Sequence, residues 1–241
     1  IATVEPELRD VLRALGARLQ LLRHRLLTGR YPLVIPTGGS SPLGVMGFVN
    51  AAFELKEQIM AGQMPEPDRI YLALGTGGTA VGLMIGLRAA GLKSRLVAVR
   101  VVAESSMNAP RLAALYAEVA AFLRGLDPLF PVHEQAGEAI EMVDGYLGAG
   151  YAAFTEAGMQ AVARMGACER LKLDGTYTGK ALAALIDDAG RQALKDEVVL
   201  FWNTLNARVF SDAIASVDYR VLPRPFHRYF GRDVQPLDRD S

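Results

Sequence analysis

Residues 69–90 set an apolar run, Arg69 to Leu74, directly against Gly75-Thr76-Gly77-Gly78-Thr79 and then against a helical stretch from Ala80 to Ala90. Few folds accept that order. A strand that ends in a loop almost free of bulky side chains, and passes at once into a helix, opens a crossover between parallel strands. Leu96 to Val102 supplies the next strand and Asn108 to Leu126 the next helix, so the unit repeats. The expected fold class is α/β, a mostly parallel sheet with helices on both faces.

The glycine loop also has chemistry of its own. Gly75, Thr76, Gly77, Gly78 and Thr79 can turn successive backbone N–H groups toward an anion, and the helix dipole adds favourable potential there. A glycine-rich turn before a helix also serves tight packing alone, so both readings stand at this point. Two phosphate cradles do not fit. The P-loop needs a Lys after its last glycine, and none follows here. The dinucleotide fingerprint would put its third glycine at Ala80, and the first acid after the next strand, Glu104, comes late.

Elsewhere, apolar residues at helical spacing (Leu8, Val11, Leu12, Leu15, Leu19, Leu22, Leu26) predict a helix from Pro6 to Leu27, stopped by Thr28-Gly29. Tyr31 to Pro36 reads as a short strand and Thr37 to Gly44 as a loop. Ser41 is a good N-cap there and Pro42 suits the first helical position, opening a helix through Val49, Phe53 and Ile59 to about Gly62. Glu156 to Met165, Thr178 to Ala189 and Asn206 to Ala215 read as helices, and Val198 to Trp202 as a core strand. From Val217 the chain loses periodicity and reads as a tail. The expected organisation is a small domain with a connecting helix over 1–62, a large domain over 63–216 and the tail over 217–241.

Composition removes several classes of function. Lys+Arg and Asp+Glu stand at 26 each, which gives no electrostatic pull toward nucleic acid or an anionic membrane. Cys168 is the single cysteine, so no internal disulfide forms. His24, His133 and His227 are scattered without metal-ligand spacing and read as surface residues. No apolar stretch reaches membrane length and no signal-peptide pattern opens the chain, which points to a cytoplasmic protein. The first residue is Ile rather than Met, so a fragment is expected.

Three segments in register carry a resemblance: Tyr31-Pro-Leu-Val-Ile-Pro-Thr-Gly-Gly-Ser-Ser-Pro-Leu-Gly-Val-Met-Gly-Phe-Val49, the Gly75–Thr79 loop, and Leu173-Asp-Gly-Thr-Tyr-Thr-Gly-Lys-Ala181 followed by Val199-Leu-Phe-Trp-Asn-Thr204. Gly148-Ala-Gly-Tyr151 agrees in spacing. From about Pro6 to Thr204 the chain resembles the D-cysteine desulfhydrase and 1-aminocyclopropane-1-carboxylate deaminase family, pyridoxal-phosphate enzymes of fold type II with a tryptophan synthase beta-like fold.

The resemblance implies that the 75–79 loop holds the phosphate of pyridoxal 5'-phosphate, that Thr204 sits against its pyridine nitrogen, and that Tyr177 handles substrate protons. It implies a lyase or deaminase acting on a small amino acid by elimination to a keto acid and ammonia, working as a homodimer. The alternative is a catalytically dead or regulatory homologue, and a nucleotide-binding dehydrogenase is a distant third. Two departures stand out. The family's Schiff-base lysine belongs upstream of this chain, and none of Lys56, Lys93, Lys172, Lys180 and Lys195 matches it; Lys180 is expected to be solvated or ion-paired. Asn203-Thr204-Leu205-Asn206 stands where the family has His-Thr-Gly-Gly.

Overall fold

The computed structural model describes residues 6–133, 140–206, 208, 210–227, 229–231 and 235–238, with side chains in the first helix from Leu15 onward. The chain divides into two compact units, Ile1–Thr37 and Gly38–Ser241. In the first, helix α1 (Pro6–Thr28) ends where Gly29 takes a φ of +73° and donates its N–H to the Arg25 carbonyl at 2.8 Å. The expected side chains Leu8, Val11 and Leu12 lie outside the described side chains. Tyr31 to Pro36 is not a strand: Leu33, Val34 and Ile35 are exposed and have no ladder. Pro32 and Pro36 bring no N–H, and an apolar run becomes a strand only beside a partner.

In the second unit, four parallel strands form one sheet: β1 (Arg69–Leu74), β2 (Arg95–Arg100), β3 (Ile140–Val143) and β4 (Val199–Phe201), in the order β3-β2-β1-β4. Around them run α2 (Pro42–Met60), α3 (Gly78–Ala89), α4 (Ala109–Leu126), α5 (Glu156–Glu169), α6 (Thr178–Gly190), and the short α7 (Ser211–Ile214) and α8 (Arg224–His227). Successive side chains of a strand point to opposite faces. Ile70, Leu72 and Leu74 join Leu96 and Ala98 in a core with Val45, Val49, Leu83, Leu112 and Val119 of α2, α3 and α4. On the opposite face, Ala73, Val99 and Val143 pack on Ala181 and Ala184 of α6. Each fully buried aliphatic side chain contributes roughly 1.5–3 kcal/mol relative to exposure. Tyr71 is also fully buried, and its hydroxyl donates to Asp188 Oδ2 at 2.6 Å, so its polar atom is not stranded.

Helices α2 and α3 touch closely because two glycines remove the side chains between them. A Cβ on Gly86 would lie 2.5 Å from the Val49 carbonyl and 2.7 Å from Ala52 Cβ; one on Gly82 would lie 2.5 Å from Phe48 Cβ. The caps follow the sequence. Ser41 Oγ accepts the Gly44 N–H at 3.2 Å with Pro42 opening the helix, and Asn108 Oδ1 accepts the Arg111 N–H at 3.1 Å.

Three expectations need correction. The core strand expected from Val198 to Trp202 narrows to β4, which among the described residues pairs with β1 alone and whose three residues are half-buried. Strand β3 had not been expected: four residues, Ile-Glu-Met-Val, are too few for alternation to register. The helix expected from Asn206 to Ala215 narrows to Ser211–Ile214, with positions 207 and 209 outside the described residues. Asn203 and Asn206 side chains accept the N–H groups of Leu205 and Arg208 at 3.0 Å each, which holds the chain in turns ahead of it.

Overpacking a closely fitted contact costs about 1–3 kcal/mol, whereas an alanine for a helical glycine in open space gains about 0.5–1 kcal/mol. Gly86→Ala is therefore expected to lower the denaturant midpoint at unchanged slope. Gly47→Ala, on the same helix pair but with no atom within 4 Å of its added Cβ, is expected to hold or raise it. Equal midpoints would contradict the packing account.

Candidate active site

Strand β1 is followed by α3, β2, α4 and β3 on one side, and the chain then returns to place β4 on the other side of β1. In open α/β sheets such a reversal leaves a crevice outside the carboxyl ends of the two strands, where ligands bind. Here those ends lead into Gly75–Thr79 and into Trp202–Thr204. Trp202 donates its N–H to the Tyr71 carbonyl at 2.8 Å, which holds the second segment beside β1.

The glycine loop lets its neighbours approach the bare backbone closely. Gly77 sits at the N-cap of α3 with φ +89°, a conformation that suits glycine, and no side chain caps the helix. The first intrahelical bond runs from the Val81 N–H to the Gly77 carbonyl, so the N–H groups of Gly78, Thr79 and Ala80 have no partner within the helix. A Cβ on Gly78 would lie 2.8 Å from Ser40 Oγ, and one on Gly77 would lie 3.0 Å from Met107 Cε. Ser40 Oγ and Thr76 Oγ1 are hydrogen-bonded at 2.7 Å, which ties the Gly38–Ser41 turn to the loop. Backbone donors without helical partners at the end of a 12-residue helix, with hydroxyls beside them, fit a phosphate group.

Tyr177 adjoins this loop. A Cβ on Gly75 would lie 3.2 Å from Tyr177 Cε1, so the ring rests against the bare Cα. Asp174 fixes the backbone around it: Oδ1 accepts the N–H groups of Thr176 (2.8 Å) and Tyr177 (2.6 Å), and Oδ2 accepts the Thr178 hydroxyl at 2.7 Å. Four unpaired donors open every helix, and one aspartate here takes several of them just before α6. The Tyr177 hydroxyl is hydrogen-bonded to that of Tyr151, their rings edge to face with centroids 6.0 Å apart. Burial first, then the Tyr151 hydrogen bond, holds the Tyr177 phenol well above the ordinary tyrosine range, so it stays protonated at neutral pH.

Sequence reasoning did not single out Tyr151, Ser40 or Asp174. The signal for Tyr151 was the pair Gly148 and Gly150, both at positive φ, which bring the chain round to present it. Its segment is fastened at several points. Arg100 pairs with Asp144 at 2.6 Å, the Tyr146 hydroxyl donates to Asp187 Oδ2 at 2.7 Å, and Lys180 Nζ donates to the Leu147 carbonyl at 2.8 Å. Lys180 is thus not solvated, contrary to expectation: it is fully buried, and burial holds its ammonium below the ordinary lysine value. Gly158 and Gly179 let α5 and α6 close around its stem, with Lys180 Cγ 3.3 Å from where a Gly158 Cβ would stand. Thr204 follows β4 at the crevice and is exposed, beside Asn203, whose Nδ2 reaches the Lys172 carbonyl at 3.4 Å. Cys168 is exposed. Among the described residues no cluster of ligating side chains could hold a metal, and no helix is long and apolar enough to cross a membrane.

Residues 2–204 match the family of pyridoxal-phosphate-dependent enzymes. The chain belongs to that family. Relatives within it include the D-cysteine desulfhydrases of Salmonella paratyphi A and Salmonella choleraesuis, each 34% identical over 200 residues, which is 82% of this chain. The chain spans 58% of the length of those relatives. The crystal structure of an ACC deaminase homologue is similar with a TM-score of 0.63 at 29% identity, covering 89% of this chain and 61% of that one. The family resemblance and the parallel α/β architecture expected from the sequence are both borne out.

A fold that favours the neutral phenol binds its proton more tightly than the unfolded chain does. The stability contributed by Tyr177 is then complete below the ordinary value of 10.0 and lost as pH rises through the higher folded value. Alkaline titration followed by phenolate absorbance should give a wild-type minus Tyr177→Phe difference that emerges only above pH 10. A difference emerging at or below it would refute this burial.

Proposed function

We propose that the full-length protein is a pyridoxal-phosphate-dependent lyase or deaminase acting on a small amino acid, in the manner of a D-cysteine desulfhydrase. The observation that carries this reading is the adjacency of an anion-fitting loop and a half-buried phenol, whose ring rests against the Cα of Gly75 in that loop. When bound, the cofactor supplies an electron sink for the pair released at the substrate's α-carbon. Gly75, Thr76, Gly77, Gly78 and Thr79 would hold its phosphate and Thr204 its ring.

Tyr177 is the residue placed to move a proton. Its phenol is protonated at neutral pH and hydrogen-bonded to Tyr151, so it can donate to a departing group or recover a proton through its neighbour. Asp174 keeps the Tyr177 backbone in register, and Ser40 and Thr76 border the same space. On the family resemblance we extend the reading to a cytoplasmic homodimer. Residues 1–62 would belong to a smaller domain with its connecting helix, 63–216 to the cofactor-binding part and 217–241 to a C-terminal tail.

The test uses the full-length protein. Tyr177→Phe is expected to cut turnover by about 10²-fold or more, the range of a positioned acid–base group, with cofactor affinity little changed. Near-normal turnover would remove Tyr177 from the catalytic machinery. In parallel, Gly78→Val puts side chain into the space beside Ser40 and should abolish cofactor retention with the fold intact; unchanged cofactor affinity would sink the phosphate assignment.

A further inference from the structure

Tyr151 lies between two tethers. On its N-terminal side, the buried ammonium of Lys180 donates to the Leu147 carbonyl at 2.8 Å. On its C-terminal side stands Gln235, well beyond the 2–204 region that matches the family. Its Nε2 donates to the Ala152 carbonyl at 2.8 Å and its Oε1 accepts the Phe154 N–H at 2.8 Å. Only this orientation of the amide satisfies both bonds, since a flip would set donor against donor and acceptor against acceptor. Between the tethers, Gly148 and Gly150 have positive φ, as does Ala152 at +62°, an arrangement that costs an ordinary residue about 1–2 kcal/mol. Such a turn holds one conformation only if its surroundings fix it.

We propose that Lys180 and Gln235 are positioning residues that grip segment 147–154 from its two ends and thereby set the Tyr151 hydroxyl on Tyr177. Both act through the backbone that carries Tyr151. Lys180 suits the task because burial denies its ammonium water, so the carbonyl bond is strong and its loss leaves a stranded acceptor. Gln235 suits it because one side chain replaces two backbone bonds that the turn cannot make to itself. The tail beyond the family region thus completes the site, an inference that rests on the catalytic reading of Tyr177.

The experiment compares full-length wild type with Lys180→Met, which keeps stem volume but no donor, with Lys180→Gln, which restores a donor, and with Gln235→Ala. Hydrogen exchange read by mass spectrometry should accelerate in peptides covering 145–154 in the Met and Ala variants and stay slow in β1 and α3. Turnover should fall about tenfold to a hundredfold, the scale for a misplaced catalytic group, with KM changing far less. Lys180→Gln should recover part of both. In a Tyr151→Phe background Gln235→Ala should cost nothing further, because the residue it positions is gone. Unaltered exchange over 145–154, or losses that simply multiply with Tyr151→Phe, would overturn the proposal. Gln235 is only half-buried, so its variant decides the matter even if Lys180→Met fails to fold. Should Tyr177→Phe prove fully active while exchange still responds, the catalytic reading falls and the tethering of the segment stands.

Discussion

Strand β1 is hydrogen-bonded on both flanks, to β2 through Arg69–Leu74 and to β4 through Arg69–Tyr71, and both of its side-chain faces are covered. With Leu74 also accepting the Val101 N–H at 3.1 Å and both faces packed, its carboxyl end is held in place. The glycine loop starts from that point. So does the crevice, because β2 on one side of β1 follows it in the chain while β4 on the other returns only at Val199–Phe201. Helix α6, which carries Tyr177 at its start, packs on the other face of the same strand through Tyr71 and Asp188. A loop of bare backbone can hold a useful shape only when what it leaves from cannot move.

Much of this was readable in the residues. Arg69 to Leu74 and the helix behind Gly77 were legible because an apolar run, a glycine cluster and a change of period from 2 to 3.6 coincide within 22 residues. Ser41 and Asn108 announced helix starts through local chemistry that needs no tertiary information. Tyr177 emerged only through the family motif. Tyr31 to Pro36 misled because β-propensity describes what a segment does beside a neighbour. Lys180 misled for a related reason: its burial depends on Gly158 of another helix, 22 positions earlier, and no local pattern marks a lysine whose single carbonyl partner is 33 residues away.

Small residues decide close approach throughout the second unit. Gly82 and Gly86 bring α2 onto α3, Gly158 and Gly179 bring α5 onto α6, and Gly75 admits the ring of Tyr177. Both helix pairs bear on the crevice, the first by anchoring the anion-fitting terminus and the second by aiming the phenol. Charged groups play a narrower part. Arg69 with Glu197 and Arg100 with Asp144 tie strand ends to neighbouring segments, and their value lies in register more than in energy, since partly exposed pairs contribute little.

The contact between Gly75 and Tyr177 joins two positions 102 residues apart into one inherited choice. A methyl at 75 would press on the ring at 177, which must give by a few tenths of an ångström, and a chain that lost the ring would be free to fill 75. A lineage that drifted away from this chemistry would therefore show it first as a paired change, a bulkier residue in the loop together with a smaller one before α6. Protein engineers seeking to widen the crevice face the same rule in reverse, because enlarging the space at one position alone spends the geometry of the other.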